Sequence, residues 1–286
     1  MAGLNFKTLY ANGDSWTCGD IVDPELFGDD LSKVNDPANK PYRLPRVWPH
    51  KLGKLLNIDV INNSHAGGSN DRIVRSTIND IIGLLNNSND PKDIFVIIGW
   101  SSPERKDFYY KWDKEAEGGE WECLYPAELM HWESDSDELN DFFKLYVLNH
   151  WYEEEFITRH ALNTITLHNF LNNLGIKHLF FNAFYEEKEQ VLDENAHQLF
   201  DPNELQQYIV DFENKTSKKT LERLEIDNII KHYHKIYKDN FISKSFIKFL
   251  LENKKFKQEE LIDYHPTELG HQLWAEFLKN KVYEKL

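Results

Sequence analysis

Four short stretches of this chain carry side chains that can do chemistry together. Gly13-Asp14-Ser15 closes the apolar run 6–12, and a serine on a sharp turn behind a strand becomes a nucleophile once a general base is near. Gly13 permits tight backbone geometry at that turn. The candidate base is His265, in Asp263-Tyr264-His265-Pro266. In an extended segment residues i and i+2 face the same side. Asp263 can then hold the imidazole Nδ1–H and leave Nε2 free as a base, as in a serine triad. The loop 62–70 contains Gly67, whose backbone N–H can face a developing oxyanion. Gly99-Trp100-Ser101-Ser102 adds Ser101 as a further donor. Asp14, Trp100 and Asn70 stand in these same stretches and are the candidate substrate contacts.

Each stretch also has a plain structural reading. Ser15 can be a turn or helix-cap serine. His265 can cap the last helix, with Asp263 a favourable charge at its positive end. The loop 62–70 can be an ordinary loop, and Ser101 a cap or strand exit.

The elements around these stretches alternate. Residues 6–12, 58–61, 93–99 and 176–182 read as strands, and 93–99 is apolar throughout, like a strand buried on both faces. Helical periodicity runs over 47–56, with Val47, Leu52, Leu55 and Leu56 apolar. It returns over 73–85, with Ile73, Ile78, Ile81, Ile82 and Leu85 near one side. Residues 140–174 are helical up to Gly175, a C-cap candidate. The end, 266–282, reads as an amphipathic helix with Pro266 at its first position and Leu269, Leu273, Phe277 and Leu278 inward. Strand, helix, strand, helix, strand implies an α/β fold with a mainly parallel sheet, in which ligands bind at the carboxyl ends of the strands. Three of the reactive stretches begin at such ends. The polar segment 20–45 is too long for a tight connection. Residues 100–140 and 186–257 are expected to be insertions in a single domain, 1–286, the second of them charged and helical.

Composition excludes several functions. Of 286 residues, 33 are basic and 48 acidic, and a net charge of −15 opposes gripping phosphate backbones or anionic membranes. Neither nucleic acid nor membrane is therefore an expected partner, and oligomeric state has no signature. No stretch approaches the ~20 apolar residues of a membrane span. With no signal-peptide pattern and only Cys18 and Cys123, a reducing, cytoplasmic setting is expected and a disulfide framework is not. Cys18 lies near Ser15 but lacks an adjacent basic motif that would activate it. His232, His234, His265 and His271 come with no metal-site spacing such as HExxH or CxxC, so no metal or other cofactor is expected. Arg105 reads as a surface ion-pair residue or an anion holder. Trp112, Trp121, Trp132 and Trp151 read as packing within the insertion or a wall for sugar stacking.

The order and contexts of the four stretches resemble the SGNH hydrolases, also called GDSL-type esterases. Gly13-Asp14-Ser15 is similar to the first block, with Trp16 where Leu is often found. Gly67 matches the glycine of the second block, and Asp263, His265 and Pro266 match the last. The resemblance covers roughly 5–100, 176–182 and 260–282. It implies a three-layer α/β/α sandwich with a flavodoxin-like sheet and helical insertions. It further implies Ser15 as nucleophile, with its own N–H and that of Gly67 in the oxyanion hole, and no cofactor. The activity implied is hydrolysis of a small O-acyl ester, with a carbohydrate acetyl ester leading by analogy. An O-acyltransferase with the same triad and a non-catalytic carbohydrate-binding or structural protein are the alternatives. Two departures stand out. The third block usually reads Gly-x-Asn-Asp, and here Ser101 holds the Asn position, leaving Asn70 or Asn182 as other donors. Asp263 precedes His265 by two residues where three is common.

Overall fold

The computed structural model describes residues 6–110, 120–124, 137–150, 153–183, 226–256, 261–262 and 265–285. In chain order, β1 (Thr8–Asn12) leads into α1 (Ser15–Cys18), α2 (Pro24–Phe27), α3 (Lys40–Arg43) and α4 (Trp48–Leu56). β2 (Asp59–Asn62), α5 (Asn70–Asn86) and β3 (Ile94–Trp100) follow. After the hairpin β4 (Lys106–Tyr110) and β5 (Glu120–Leu124) come α6 (Asp137–His150), α7 (Glu153–Asn173) and β6 (Lys177–Asn182). The chain continues as α8 (Asn228–Asn240), α9 (Phe246–Glu252), β7 (Leu261–Ile262), β8 (His265–Pro266) and α10 (Glu268–Lys285).

The central sheet has the order β2-β1-β3-β6 and every pairing in it is parallel. Parallel strands need helical crossovers, which cover both faces, and β3 shows the result: all seven of its residues are buried. Phe95 and Ile97 pack with Leu9, Trp48, Leu52, Phe181, Phe246, Trp274 and Leu278, which places α4, α9 and α10 on one face. Ile94, Val96, Ile98 and Trp100 pack with Tyr10, Ile73, Ile81, Leu167, Leu171 and Ile236, which places α5, α7 and α8 on the other. The result is the three-layer α/β/α sandwich with the flavodoxin-like strand order 2-1-3-4. In that order the chain leaves β1 towards one side and returns for β3 on the other. The crevice at the carboxyl ends of β1 and β3 is the place where such sheets bind ligands.

Local signals set the helix ends. The Ser69 hydroxyl accepts from Arg72 N–H and caps α5. Gly175, at φ +71°, ends α7, as its spacing implies. Asp227 caps α8 through Ile229 and Ile230.

The segment 20–45 is folded, holding α2, α3 and several 3-10 turns. Three expectations are corrected. Ile82 is exposed, because nine residues from Ile73 is about half a turn round the helix from the buried stripe. Leu269 is exposed for the same reason: it lies about 140–180° round α10 from Trp274 and Leu278. Pro266 does not open α10 but belongs to β8, where it pairs with Leu261. Of the expected insertions, 111–119, 125–136, 186–225 and 257 lie outside the described residues. No helix among the described residues is long and apolar enough to cross a membrane.

Candidate active site

The site is built from α1 outward. Asp14 N-caps this single helical turn by accepting from Trp16 N–H at 3.0 Å. Ser15 is therefore the first helical residue, one of those whose N–H has no partner within the helix. The turn is held close to β3. A β-carbon on Gly13 would collide with Thr17 and stand 2.8 Å from the Gly99 carbonyl oxygen, so glycine is needed there. The second loop is tied to the same place, with His65 N–H donating to Gly13 O at 3.1 Å.

His265 reaches Ser15 from the far end of the chain. Its Nε2 is 2.8 Å from Ser15 Oγ, a hydrogen bond across 250 residues. Trp16 lies beside the imidazole, with ring centres 6.4 Å apart, and packs edge-on against Phe246 in the core. The other ring nitrogen, Nδ1, is 3.1 Å from Asp20 Oδ2. Asp263, expected in that role, lies outside the described residues. Asp20 went unnoticed in the sequence because it stands among other acidic residues of 20–45, with no spacing to mark it.

Beneath the serine is a buried charge cluster. Asp14 is fully buried, its Oδ2 accepting from the Ser101 hydroxyl at 2.7 Å and standing 3.7 Å from Arg105 Nη1. Burial pushes the Asp14 carboxyl above its usual range, opposed by the Arg105 charge, the Ser101 hydroxyl and the Trp16 N–H. Arg105 also donates to Gly68 O at 3.5 Å, joining the first and second loops. It is thus an interior ion-pair residue rather than a surface one.

Several expected roles change. The single Ser101 proton goes to Asp14, so this hydroxyl is not presented as an oxyanion donor. Asn70 is buried, its Oδ1 accepting from Ser101 N–H at 2.8 Å and its Nδ2 donating to Ser101 O at 3.1 Å. Trp100 is buried between His160 and Phe180, each 5.5 Å away between ring centres. Asp14, Trp100 and Asn70 therefore face interior partners in place of substrate. Gly67 is exposed in the second loop at φ +77°. Asn182 ends β6, and its buried Oδ1 has no hydrogen-bond partner among the described residues.

Burial pushes the Cys18 thiol up to about 11, against the opposing charge of Arg43, and Arg43 also contacts its sulfur. A thiol so held is a poor nucleophile. Of the four tryptophans in or near the insertion, Trp121 is half-exposed, with the Arg75 guanidinium 3.9 Å over its ring. The other three lie outside the described residues. Among the described residues no group of three His, Cys, Asp or Glu side chains could hold a metal ion.

A three-layer sheet whose switch-point crevice presents a serine bonded to a distant histidine defines an SGNH hydrolase-like fold. By sequence, residues 26–206 match the model of a family described as a family of unknown function (DUF6071), and the chain belongs to that family. The matched stretch contains neither Ser15 nor His265. No curated protein matches. Among solved structures, the chain is similar to a member of the lipolytic protein G-D-S-L family from Veillonella parvula, at 15% identity and TM-score 0.43 over 98% of this chain and 100% of that one. It is also similar to a GDSL-like lipase from Bacteroides thetaiotaomicron, at 13% and 0.42 over 98% and 89%. A carbohydrate esterase with divergent catalytic and non-catalytic binding functions matches at 12% and 0.43, over 98% of this chain and 65% of that one. Such distant likeness adds nothing to what the sheet order and the serine–histidine contact establish alone.

Proposed function

We propose that this protein is a serine esterase that cleaves a small O-acyl ester through an acyl-enzyme on Ser15. The observation that carries the reading is the 2.8 Å contact between Ser15 Oγ and His265 Nε2 at the carboxyl end of β1. A serine hydroxyl is a weak nucleophile until a base within hydrogen-bond reach takes its proton. His265 takes that proton as Oγ attacks the acyl carbon, then gives it to the leaving alkoxide. Water, deprotonated by the same imidazole, attacks the acyl-enzyme and frees Ser15. The tetrahedral oxyanion falls to the Ser15 and Gly67 N–H groups, each such donor supplying roughly 3 kcal/mol of barrier lowering. A carboxylate at Nδ1 keeps the imidazole in the tautomer that can accept at Nε2. A carbohydrate O-acyl ester is the proposed substrate class, by the family resemblance.

A fluorophosphonate probe tests the reading, because it labels an activated serine. The wild-type protein is expected to label and to hydrolyse acetyl esters, and Ser15→Ala to lose both. Undiminished labelling of Ser15→Ala removes the assignment.

A further inference from the structure

The Ser15 hydroxyl can donate only to an imidazole nitrogen that carries no proton. With Oγ at Nε2, the neutral ring holds its proton on Nδ1, and that proton needs an acceptor. Among the described residues Asp20 Oδ2 is such an acceptor, at 3.1 Å. Both side chains are mostly shielded, 13% exposed for Asp20 and 21% for His265. Their attraction is therefore stronger than it would be in water.

Local geometry explains how a residue so close in sequence to the nucleophile reaches the far side of the ring. α1 ends at Gly19, whose N–H donates to Ser15 O at 2.6 Å. Gly19 takes φ +79°, a conformation side chains rarely adopt, and it turns the chain out of the helix just before Asp20. A β-carbon at Gly19 would also collide with Val47. Ser15 and Asp20 are thus held by the two ends of one helical turn, and the imidazole sits between them. We infer that Asp20 is a positioning residue: its carboxylate accepts the His265 Nδ1–H and aims Nε2 at Ser15. The assignment rests on the esterase reading for its kinetic consequence, but not for its geometry. The nucleophile's own loop supplies the orienting carboxylate, while Asp263, adjacent to the histidine in sequence, is the competing candidate.

Two measurements test it. The first is kinetic, on an acetyl ester, for Asp20→Asn, Asp20→Glu and Asp263→Asn, with thermal midpoints recorded to confirm folding. Asp20→Asn is expected to lower kcat by about 10²–10⁴-fold with KM within about threefold, the pattern of a misoriented base. Asp20→Glu should recover part of that loss. A kcat for Asp20→Asn within about threefold of wild type overturns the assignment. The second needs no turnover: proton NMR of ¹⁵N-histidine-labelled protein in a Ser15→Ala background. A low-field Nδ1 proton bonded to a carboxylate should be present, should survive Asp263→Asn and should vanish with Asp20→Asn. Survival with Asp20→Asn and loss with Asp263→Asn gives the role to Asp263 and overturns the inference. A wild type that neither labels nor turns over would end the esterase reading, and the NMR result would still decide Asp20.

Discussion

A hydroxyl has one proton to give, and Ser101 gives it to a carboxylate with no access to solvent. Removing one partner of a buried charged hydrogen bond exposes the other to the full cost of desolvation, about 1–3 kcal/mol. Ser101→Ala should therefore lower the unfolding free energy by that much, read as a lower urea midpoint at unchanged slope, while kcat falls less than about tenfold, because no contact to the oxyanion is lost. An unchanged midpoint with a large fall in kcat would return Ser101 to the oxyanion hole. At this scale the Ser15–His265 pairing is readable in sequence, because Ser15 follows a strand and His265 stands near a helix start. The supporting residues are not. Whether Ser101, Asn70, Trp100 or Asp14 faces substrate or interior depends on what is stacked beside it. Asp14 and Ser101 are 87 positions apart, so only the sheet order brings them together. Asp20 is hidden for the opposite reason. It is close to Ser15 in sequence, and the positive φ of Gly19 that brings it to the histidine is not written in the spacing.

Among the elements, α1 depends on the layer beneath it. Phe246, the first residue of α9, is fully buried and stacks on Trp274 of α10 with ring centres 4.7 Å apart. It also meets Trp16 edge-on at 5.2 Å, joining the Ser15 turn to the helix that follows His265. Phe246→Ala should cost about 3–5 kcal/mol in denaturant unfolding, the range for truncating a buried aromatic. At temperatures where the variant stays folded, a loosened Trp16 should also reduce kcat. An unfolding free energy within about 1 kcal/mol of wild type would show that α9 contributes little to this face. The strands and the helices α4 and α5 are legible because their apolar periods, Ile82 apart, match what they bury. Expectation fails at element edges. Leu269 fits a helical period but faces solvent, since the stripe of α10 is centred on Trp274 and Leu278. Pro266 fits a helix start but is taken by the pairing of β8 with β7, a contact that helical periodicity does not reveal.

Across the molecule, three of the histidines among the described residues are held furthest from their ordinary range. Burial holds His160 down to about 4, His178 to about 4 and His271 to about 3, with neighbouring cations or histidines adding to the effect. In the unfolded chain each returns to about 6.5. As pH falls below 6.5 the unfolded state takes up protons that the folded state refuses, so stability drops. The loss continues until pH reaches the folded values near 4 and 3, and below those it stops. Each histidine can remove on the order of 3 kcal/mol across that window. The thermal midpoint should accordingly fall between pH 6.5 and 4, starting above the range where carboxylates take up protons. His271 isolates the effect. It lies in α10 against Phe246, and neither ring nitrogen has a hydrogen-bond partner among the described residues. An apolar side chain of similar size loses no bond there and takes up no proton. His271→Leu should match wild type within about 1 kcal/mol at pH 8 and exceed it at pH 5. The measurement is the midpoint of both proteins across that range, and two parallel curves would remove His271 as a source of acid lability.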